Sequence, residues 1–535
     1  MDLVDYIIVG SGASGSISAE TICGLGYRVL MIDTGFDNDY KPLDNNDFIS
    51  KRIYDDSQSD YFLGKKYEVL SENLNPNIPQ QTPQRAYVNS FVDKLLPFKT
   101  NNFFPVESLA LGGLGNSWGL GSYAFSEKEI KKCGLNYAEM KDAYKWVADI
   151  VGVSGEKNDD ASKFCHNGTF EMQNSIELNK SAKSLLKEYE KKRRSFNKQN
   201  IFMGRPSLAL LTQDKLNRKA YSYKDTDFYE DEGNSAFRTR LKIKELIDKG
   251  KLEYKSGWLV VSFLETQEGV ELNCRNTKTN EAIIFRAKRV LLASSTLSTS
   301  RIVMRSFNSN HQLPILCNAY TYMPMIYWPF LGKKHTNSLS GLAQLAMFYD
   351  LNNDDSNIAM ASIYNYRSLL NFRILKQMPL NHAAGTKFLQ LIIPSLFIAG
   401  IFHPASYKKG NYIKLTPDNN NLIGDVLETN YEYLGEELKD IQNTEKTYSK
   451  AFSRLNCTIL KKLRTPIGGS IHYAGSLPFS NTEELFRIAP NGKLYGTKNI
   501  YIADASGFSY LPGKGLTLSL MANAHLVAKN ILTNE

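Results

Sequence analysis

Three glycines near the amino end of the chain have the spacing of a phosphate-binding turn. The run Gly10-Ser-Gly12-Ala-Ser-Gly15 follows four apolar residues, 6–9, which predict a buried parallel strand. Gly10 permits a tight turn, Gly12 lets the backbone approach a pyrophosphate, and Gly15 lets the next helix pack against the strand. The amino end of that helix offers free N–H groups and a positive dipole end to phosphates, and Ser14 adds a hydroxyl donor.

An acid follows at the distance that such a turn requires. Asp33 ends a second predicted strand, 29–32, and lies eighteen residues after Gly15. A carboxylate there accepts hydrogen bonds from ribose hydroxyls. The pattern therefore predicts a bound dinucleotide, and at this point NAD, NADP and FAD are all open. The alternative is a glycine-rich turn between strand and helix that binds no ligand.

The composition is that of a globular enzyme with more than one domain. The chain has 535 residues, of which 42% are hydrophobic and 22% charged, and that length predicts two or three domains. Its net charge is +9, but the basic residues are scattered among 55 acidic ones. This arrangement gives no indication of nucleic-acid binding, whereas an anionic substrate or an anionic membrane surface is compatible with it.

The cysteines and the amino terminus both indicate a reducing compartment. No C-x-x-C pair occurs, so reduced, buried thiols are expected and neither a disulfide framework nor a metal site is predicted. The first strand begins a few residues after Met1, which leaves no room for a signal peptide and makes the cytoplasm the expected location. The six cysteines are Cys23, Cys133, Cys165, Cys274, Cys317 and Cys457.

The middle of the chain predicts a separate sheet. The run 255–304 shows two alternating strands joined by a hairpin, then a further strand and a small-residue turn into a helix. Between 315 and 415 short apolar runs recur, which predicts an antiparallel sheet in a substrate domain. These runs are 342–349, 358–364, 396–402 and 412–415.

One segment, 367–402, combines apolar and basic residues in a way that membrane-surface helices share. Its first part, 368–380, carries apolar residues beside Arg367, Arg373 and Lys376. Its second part, 388–402, is apolar but is broken by Pro394 and is too short to span a bilayer. The segment predicts a peripheral contact with the inner face of the membrane, or else a surface helix that packs on the predicted sheet.

Two further glycine-rich blocks accompany the opening turn. The first, 109–119, reads Leu-Ala-Leu-Gly-Gly113-Leu-Gly-Asn116-Ser117-Trp118-Gly. The second comprises Gly468-Gly-Ser-Ile-His472-Tyr-Ala-Gly-Ser, then 499–506 with Asp504 and Ala505, then 512–524 with Leu516 and Thr517. Together with the opening turn, these blocks resemble the glucose–methanol–choline (GMC) oxidoreductases, and the tryptophan at position 118 resembles their pyranose-oxidase branch.

The resemblance implies FAD as the cofactor and assigns residues to it. The pyranose-oxidase branch carries a histidine, covalently joined to FAD, just before the tryptophan, and this chain has Ser117 there, so non-covalent FAD is expected. Gly113, Asn116, Ser117 and Trp118 are expected to line the flavin. The remaining assignments are Val260 at the adenine, Asp504 and Ala505 at the phosphate and ribityl region, and Leu516 and Thr517 at the pyrimidine end.

The resemblance also implies a base, His472. Oxidation of an alcohol needs a group that takes the hydroxyl proton, and imidazole, with an ordinary pKa of about 6.5, suits this role. The family usually places His or Asn opposite that base, but this chain has Gly515 there. Lys514, a group from the substrate domain, or no group at all could take that place. The family's Ala-Gly turn is also replaced, by Ser294 and Ser295.

The expected fold is an α/β protein with a Rossmann-like FAD-binding domain and an inserted substrate domain built on an antiparallel sheet. The expected function is oxidation of a hydroxyl on a sugar or glycoconjugate by hydride transfer to flavin N5. The alternatives are an apolar alcohol such as a sterol, and a lyase or isomerase reaction without net redox. Oxygen, a quinone or a protein could reoxidise the flavin. We expect the FAD-binding domain at 1–135, 235–305 and 465–535, and the substrate domain at 136–234 and 306–464.

Overall fold

The computed structural model of the chain describes residues 3–37, 67, 83–223, 233–334, 340–365, 375 and 378–533. Within these residues two seven-stranded sheets dominate, one mixed and one antiparallel. The predicted α/β class, with a Rossmann-like sheet and a second, antiparallel sheet, is confirmed. The predicted domain boundaries stay a prediction.

The strands of three or more residues are numbered here in chain order. They are β1 Val4–Val9, β2 Val29–Ile32, β3 Phe98–Thr100, β4 Ile201–Gly204, β5 Leu252–Lys255, β6 Trp258–Glu265, β7 Val270–Asn276, β8 Ala282–Leu292, β9 Tyr320–Tyr327, β10 Leu345–Asp350, β11 Ile358–Asn365, β12 Leu396–Phe402, β13 Tyr412–Pro417, β14 Asp425–Asn430, β15 Cys457–Ile459 and β16 Ile500–Ile502.

The α-helices of six or more residues are numbered in the same way. They are α1 Ala13–Gly24, α2 Glu127–Lys132, α3 Tyr137–Val151, α4 Lys180–Asn197, α5 Thr239–Asp248, α6 Thr296–Ser306, α7 His382–Ile392, α8 Gly435–Arg454 and α9 Thr517–Thr533. No helix in the described ranges is long and apolar enough to cross a membrane.

The mixed sheet has the order β5–β2–β1–β8–β7–β6, and β16 pairs with β8. Strands β5, β2, β1, β8 and β16 are parallel, whereas β8, β7 and β6 form an antiparallel meander. Strands β2 and β16, and β1 from Tyr6 to Val9, are apolar runs buried on both faces, as their sequences predict. Four of them end at one edge, just before Gly10, Asp33, Ala293 and Ala503, which makes this edge the expected ligand crevice.

The antiparallel sheet has the order β15–β9–β12–β11–β10–β4, with residues 463–464 also paired to β9. One face of it packs in an apolar core with residues of α4 and α8. The opposite face of β9, β11 and β12 lines a cavity that reaches the mixed sheet. Helices α1 and α9 contact the mixed sheet and pack on each other, and α3 packs on α9.

One expectation from the sequence turns out differently, one is confirmed, and one falls partly outside the described residues. Strand β13, which covers the predicted run 412–415, pairs with β14 in a separate four-stranded sheet rather than with β9–β12. All six cysteines are buried and free. Residues 367–374 and 376–377 of the predicted membrane-facing segment lie outside the described residues.

Candidate active site

A cavity of about 680 Å³ opens at the carboxyl ends of the parallel strands. The mixed sheet contributes the turns after β1, β2, β8 and β16 to its wall, and the antiparallel sheet contributes one face of β9, β11 and β12. The loop that carries His472 closes the wall between the two sheets. The cavity therefore brings together segments that lie more than 450 residues apart in the chain.

The glycine turn after β1 has the shape of a phosphate cradle. Gly10 has a φ of +94°, and a Cβ there would lie 2.8 Å from the Ala293 carbonyl oxygen. A Cβ on Gly15 would lie 1.9 Å from the Gly10 oxygen, so the helix can approach the strand only because this residue is glycine. A Cβ on Gly12 would meet no atom within 4 Å, because Gly12 faces the cavity. The space that a side chain would fill at Gly12 is where a pyrophosphate fits.

Asp33 lies beside this cradle and faces the same cavity. Its carboxylate accepts hydrogen bonds from the Ser11 hydroxyl and, at 3.1 Å, from the Tyr254 hydroxyl. Burial raises the pKa of Asp33 to about 6, although these hydrogen bonds oppose the rise. A desolvated carboxyl group with acceptor capacity left at a cavity wall is suited to ribose hydroxyls. The donors and acceptors present therefore fit a dinucleotide.

The turns after β8 and β16 complete the cradle. Asp504 is buried, and its carboxylate accepts hydrogen bonds from the Thr299 hydroxyl and from the Ser506 N–H and hydroxyl. Ser295 has a φ of +76°, a conformation that favours glycine, at the position where the resembled family has glycine. A serine in this conformation carries backbone strain that a glycine would not.

The glycine-rich block 109–119 folds into a turn against the cradle. Gly113, Ser117 and Trp118 line the cavity, and the Trp118 indole N–H donates to the Phe237 carbonyl at 3.0 Å. Asn116 lies behind the cavity wall. Its amide donates to the Leu111 carbonyl at 2.7 Å and thereby holds the turn.

His472 lies in a loop whose backbone is under strain. Gly468 has a φ of +97°, and a Cβ there would meet the Phe104 carbonyl oxygen at 2.5 Å. Ile471, which precedes His472 directly, has a φ of +64°. A β-branched residue in the left-handed region is a true outlier, and such strain concentrates at functional sites.

The imidazole of His472 is neutral and its tautomer is defined by Asn318. Burial lowers the pKa of His472 from its ordinary 6.5 to about 4. The Asn318 amide nitrogen donates to backbone carbonyls, at 2.7 Å to that of His403, so its oxygen is the atom that faces His472. His472 Nδ1 lies 3.1 Å from this oxygen and must be the donor. Nε2 is then the unprotonated nitrogen, with the lone pair that a base needs.

Asn318 was not predicted from the sequence. The only sequence signal is a polar residue between apolar neighbours, Cys317 and Ala319, just before β9. It is buried, and its partners come from three separate segments, which no local pattern indicates. The Phe402 ring stacks on the His472 imidazole, with a centroid distance of 4.5 Å and an interplanar angle of 12°.

Comparison with known proteins supports this architecture. The fold matches the crystal structure of pyridoxine 4-oxidase from Mesorbium loti, with a TM-score of 0.58 over 98% of each chain. The two chains share a fold. Their sequences are 11% identical, so the match shows the fold alone. No protein-family model and no curated protein matches this chain. The matched protein is not named as a pyranose oxidase, and the resemblance to that branch stays a prediction.

Lys514 does not reach the cavity. Its ammonium group donates to Glu129 at 2.8 Å and to the Ala124 carbonyl at 3.3 Å, and both charged side chains are buried, with 1% and 0% exposed. The role of a second catalytic group does not fit this position, because the ion pair directs the side chain away from His472's cavity. A side chain at Gly515 would be tightly packed, since a Cβ there would lie 3.0 Å from both the Gly121 carbonyl oxygen and the Tyr123 ring.

Most of the residues predicted for the site surround the one cavity. The exceptions are Gly15, Asn116 and Lys514, which lie behind its wall. The predicted residues that line it are Gly10, Gly12, Ser14, Asp33, Gly113, Ser117, Trp118, Val260, His472, Asp504, Ala505, Leu516 and Thr517.

The other histidines in the described ranges lie outside this cavity. His403 is buried and its Nε2 contacts the Thr321 hydroxyl at 3.1 Å. His525 stacks on Trp146 with a centroid distance of 4.0 Å. His166 is buried as well.

Proposed function

We propose that the chain is an FAD-dependent oxidoreductase of the GMC type that oxidises a CH–OH group, with His472 as the base. One observation carries the proposal: a phosphate cradle with a ribose-binding acid and a neutral histidine with a free Nε2 line the same cavity. The fold match to an enzyme named pyridoxine 4-oxidase is consistent with it.

The residues that would hold FAD follow from the wall of the cavity. Gly10, Gly12 and Ser14 surround the pyrophosphate position, and Asp33 takes the ribose. Val260, Gly113, Ser117, Trp118, Asp504, Ala505, Leu516 and Thr517 line the remainder. Ser117 offers no histidine for a covalent link, so FAD is held without one. When bound, FAD accepts the hydride that the alcohol carbon loses.

His472 takes the proton of the substrate hydroxyl at Nε2. Because burial lowers its pKa to about 4, the imidazole is already unprotonated at neutral pH. The hydrogen bond from Nδ1 to Asn318 keeps the proton on the nitrogen that faces away from the substrate, and it stabilises the imidazolium that forms. The Phe402 ring prevents the imidazole from tilting. The second group that the family places opposite the base has no counterpart at Lys514 or Gly515.

The substrate we propose is a sugar or another uncharged glycoconjugate. The wall opposite the cradle consists of Tyr320, Tyr322, Met360, Ser362, Tyr364 and Phe402, which we call the sheet floor. This floor offers aromatic faces and hydroxyl groups without a charged side chain, the combination that binds neutral polar rings. A sterol or long-chain alcohol would offer the hydroxyl groups of this floor a single hydroxyl to bind.

The test uses the purified chain loaded with FAD and mixed anaerobically with a panel of neutral sugars, nucleotide sugars and apolar alcohols. Bleaching of the flavin absorbance band by a neutral sugar supports the proposal. Bleaching by sterols or long-chain alcohols alone would refute the proposed sugar substrate but support the proposed oxidation reaction. Turnover without bleaching would support a lyase or isomerase and would refute the oxidoreductase.

A peripheral contact with an anionic membrane is the partner we propose. On α7, Phe388 and Leu391 are 45% and 48% exposed, and Lys387 lies beside them. Trp328 is exposed as well, on a segment that packs against the end of α7. Apolar side chains with a neighbouring cation suit an anionic lipid surface. Flotation with anionic liposomes at low salt tests this, with Phe388→Ser/Leu391→Ser as the matched variant, and absence of wild-type binding would refute it.

A further inference from the structure

The face of the antiparallel sheet that lines the cavity is organised in rows across neighbouring strands. Tyr320, Phe402 and Met360 stand opposite one another on β9, β12 and β11. The next row is Tyr322, Gly400 and Ser362 on the same strands. Residues directly opposite in antiparallel strands point to the same face, so both rows face the cavity.

Gly400 has a specific packing function in this arrangement. A Cβ at Gly400 would lie 2.0 Å from the Tyr320 hydroxyl oxygen. The Tyr320 ring therefore lies across β12, with its hydroxyl above Gly400 and beside the second row. Any larger residue at position 400 would displace the Tyr320 hydroxyl, whose ring packs at 4.3 Å on Phe402.

The hydroxyls of this region converge. The rings of Tyr320 and Tyr322 meet edge to face with centroids 4.8 Å apart. Burial raises the pKa of Tyr320 well above its ordinary value, and the nearby Tyr322 and Tyr364 hydroxyls add to the rise. Both phenols therefore stay neutral at any working pH, and each can donate and accept a hydrogen bond.

This cluster lies close to the candidate base but does not touch it. Phe402 contacts Tyr320 on one side and stacks on His472 on the other, with centroid distances of 4.3 and 4.5 Å. A substrate whose reacting hydroxyl contacts His472 therefore contacts the Tyr320 and Tyr322 hydroxyls with a group that lies about one ring away from its reacting hydroxyl. No described residue of the sheet floor is cationic, so a carboxylate or phosphate would lack a counter-charge there.

We infer that Tyr320 and Tyr322, seated by Gly400, form a second subsite that binds a neutral hydroxyl of the substrate remote from the carbon that is oxidised. The inference rests on the proposed function and narrows it. The preferred substrate is an uncharged ring with at least two hydroxyls, rather than a simple alcohol or an anionic one. Tyr320 and Tyr322 set specificity by hydrogen bonding and take no part in proton or hydride transfer.

The test compares two uncharged rings that differ by one hydroxyl: cyclohexanol and the cyclohexanediol whose second hydroxyl lies opposite the first. Binding to the FAD-loaded full chain is measured by calorimetric titration, and anaerobic flavin reduction is measured separately. We expect the diol to bind about tenfold more tightly than cyclohexanol, which is the worth of one net hydrogen bond in a closed site.

The variants remove this preference without removing the site. Tyr320→Phe and Tyr322→Phe each lower the ratio of the two affinities to about threefold or less, because each keeps the aromatic ring and removes only the hydroxyl group. Gly400→Ala has the same effect because its Cβ displaces the Tyr320 hydroxyl. The matched control is Tyr327→Phe on the same strand. The Tyr327 side chain lies in the apolar core on the opposite face of the sheet, where its hydroxyl pairs with Ser184 at 2.8 Å. This variant should keep the wild-type ratio of the two affinities.

The outcomes separate the subsite from the proposed function. Equal affinity of the wild-type chain for both rings, or an undiminished ratio in Tyr320→Phe and Tyr322→Phe, overturns the subsite even if alcohols reduce the flavin. A preference for the diol that is lost in these variants and kept in Tyr327→Phe supports the subsite even if no alcohol reduces the flavin, a result that would refute the proposed function alone.

Discussion

Replacing Asn318 with alanine tests how the chain prepares His472. The substitution removes the only described acceptor for His472 Nδ1, at 3.1 Å, and the amide that donates at 2.7 Å to the His403 carbonyl. The hydrogen bond that makes one imidazole tautomer lower in free energy than the other is then lost, and the ring loses one of its two restraints. The other restraint, the stacked Phe402, stays.

The magnitude follows from these contacts. A net hydrogen bond of about 1 kcal/mol changes the tautomer ratio about fivefold. The freed imidazole also loses alignment with the substrate hydroxyl, and a misplacement of this kind costs up to about 100-fold. We therefore expect kcat to fall about 10- to 100-fold. The buried carbonyls left without a donor lower the free energy of unfolding by about 1 to 3 kcal/mol.

The assay is anaerobic single-turnover reduction of the FAD-loaded chain over a range of substrate concentrations, at a temperature where the variant is folded. The rate at saturation should fall while the substrate dissociation constant changes little. Asn411→Ala is the matched control, since this buried amide pairs with the Glu432 backbone outside the cavity. An Asn318→Ala rate within threefold of the wild type would refute the role assigned to Asn318.

Three further predictions concern pH, the cradle and the buried ion pair. Burial lowers the pKa of His472 to about 4, so the imidazole is unprotonated above that pH and kcat/KM should fall only below about pH 4. A pH profile in which kcat/KM already falls near pH 6.5 would contradict this. Gly12→Ala should fold but bind FAD at least tenfold more weakly in a fluorescence titration, and a wild-type FAD affinity in this variant would place the pyrophosphate elsewhere. Gly15→Ala should fail to accumulate as folded protein, because its Cβ would lie 1.9 Å from a carbonyl oxygen. Lys514→Met should lower the free energy of unfolding, measured by denaturant titration, by about 3 to 5 kcal/mol, because it leaves the Glu129 charge buried without a partner. The double variant Lys514→Met/Glu129→Gln should recover most of the lost free energy. No recovery would mean that packing, and not charge, explains the loss.

Local patterns in the sequence identify the cradle well, because its chemistry is local. The turn after β1 depends on where glycine is sterically required, and the spacing of Gly10, Gly12 and Gly15 shows this directly. The end of β2 places Asp33 at the same sheet edge for a topological reason, since parallel neighbours end together. Both could therefore be predicted from short stretches of sequence.

Side-chain direction and sheet partners could not be predicted in this way. Lys514 precedes the cofactor-facing Leu516 and Thr517, but its direction is set by Glu129, 385 residues away. Asn318 faces His472 because three distant carbonyls bind its amide nitrogen. Strand β13 alternates like its neighbours in sequence, and alternation identifies a strand without identifying the sheet that it joins.

The most direct test of the account compares two buried histidines in one experiment. Burial lowers the pKa of both His472 and His525 to about 4, but His525 packs on Trp146 outside the cavity. With FAD bound and a reducing alcohol present, His472→Ala should reduce flavin about 100- to 10,000-fold more slowly than the wild type, which is the range of base catalysis. His525→Ala should stay within about threefold, the scatter expected for a residue outside the site. A His472→Ala chain that binds FAD and reduces it at the wild-type rate would contradict the central claim.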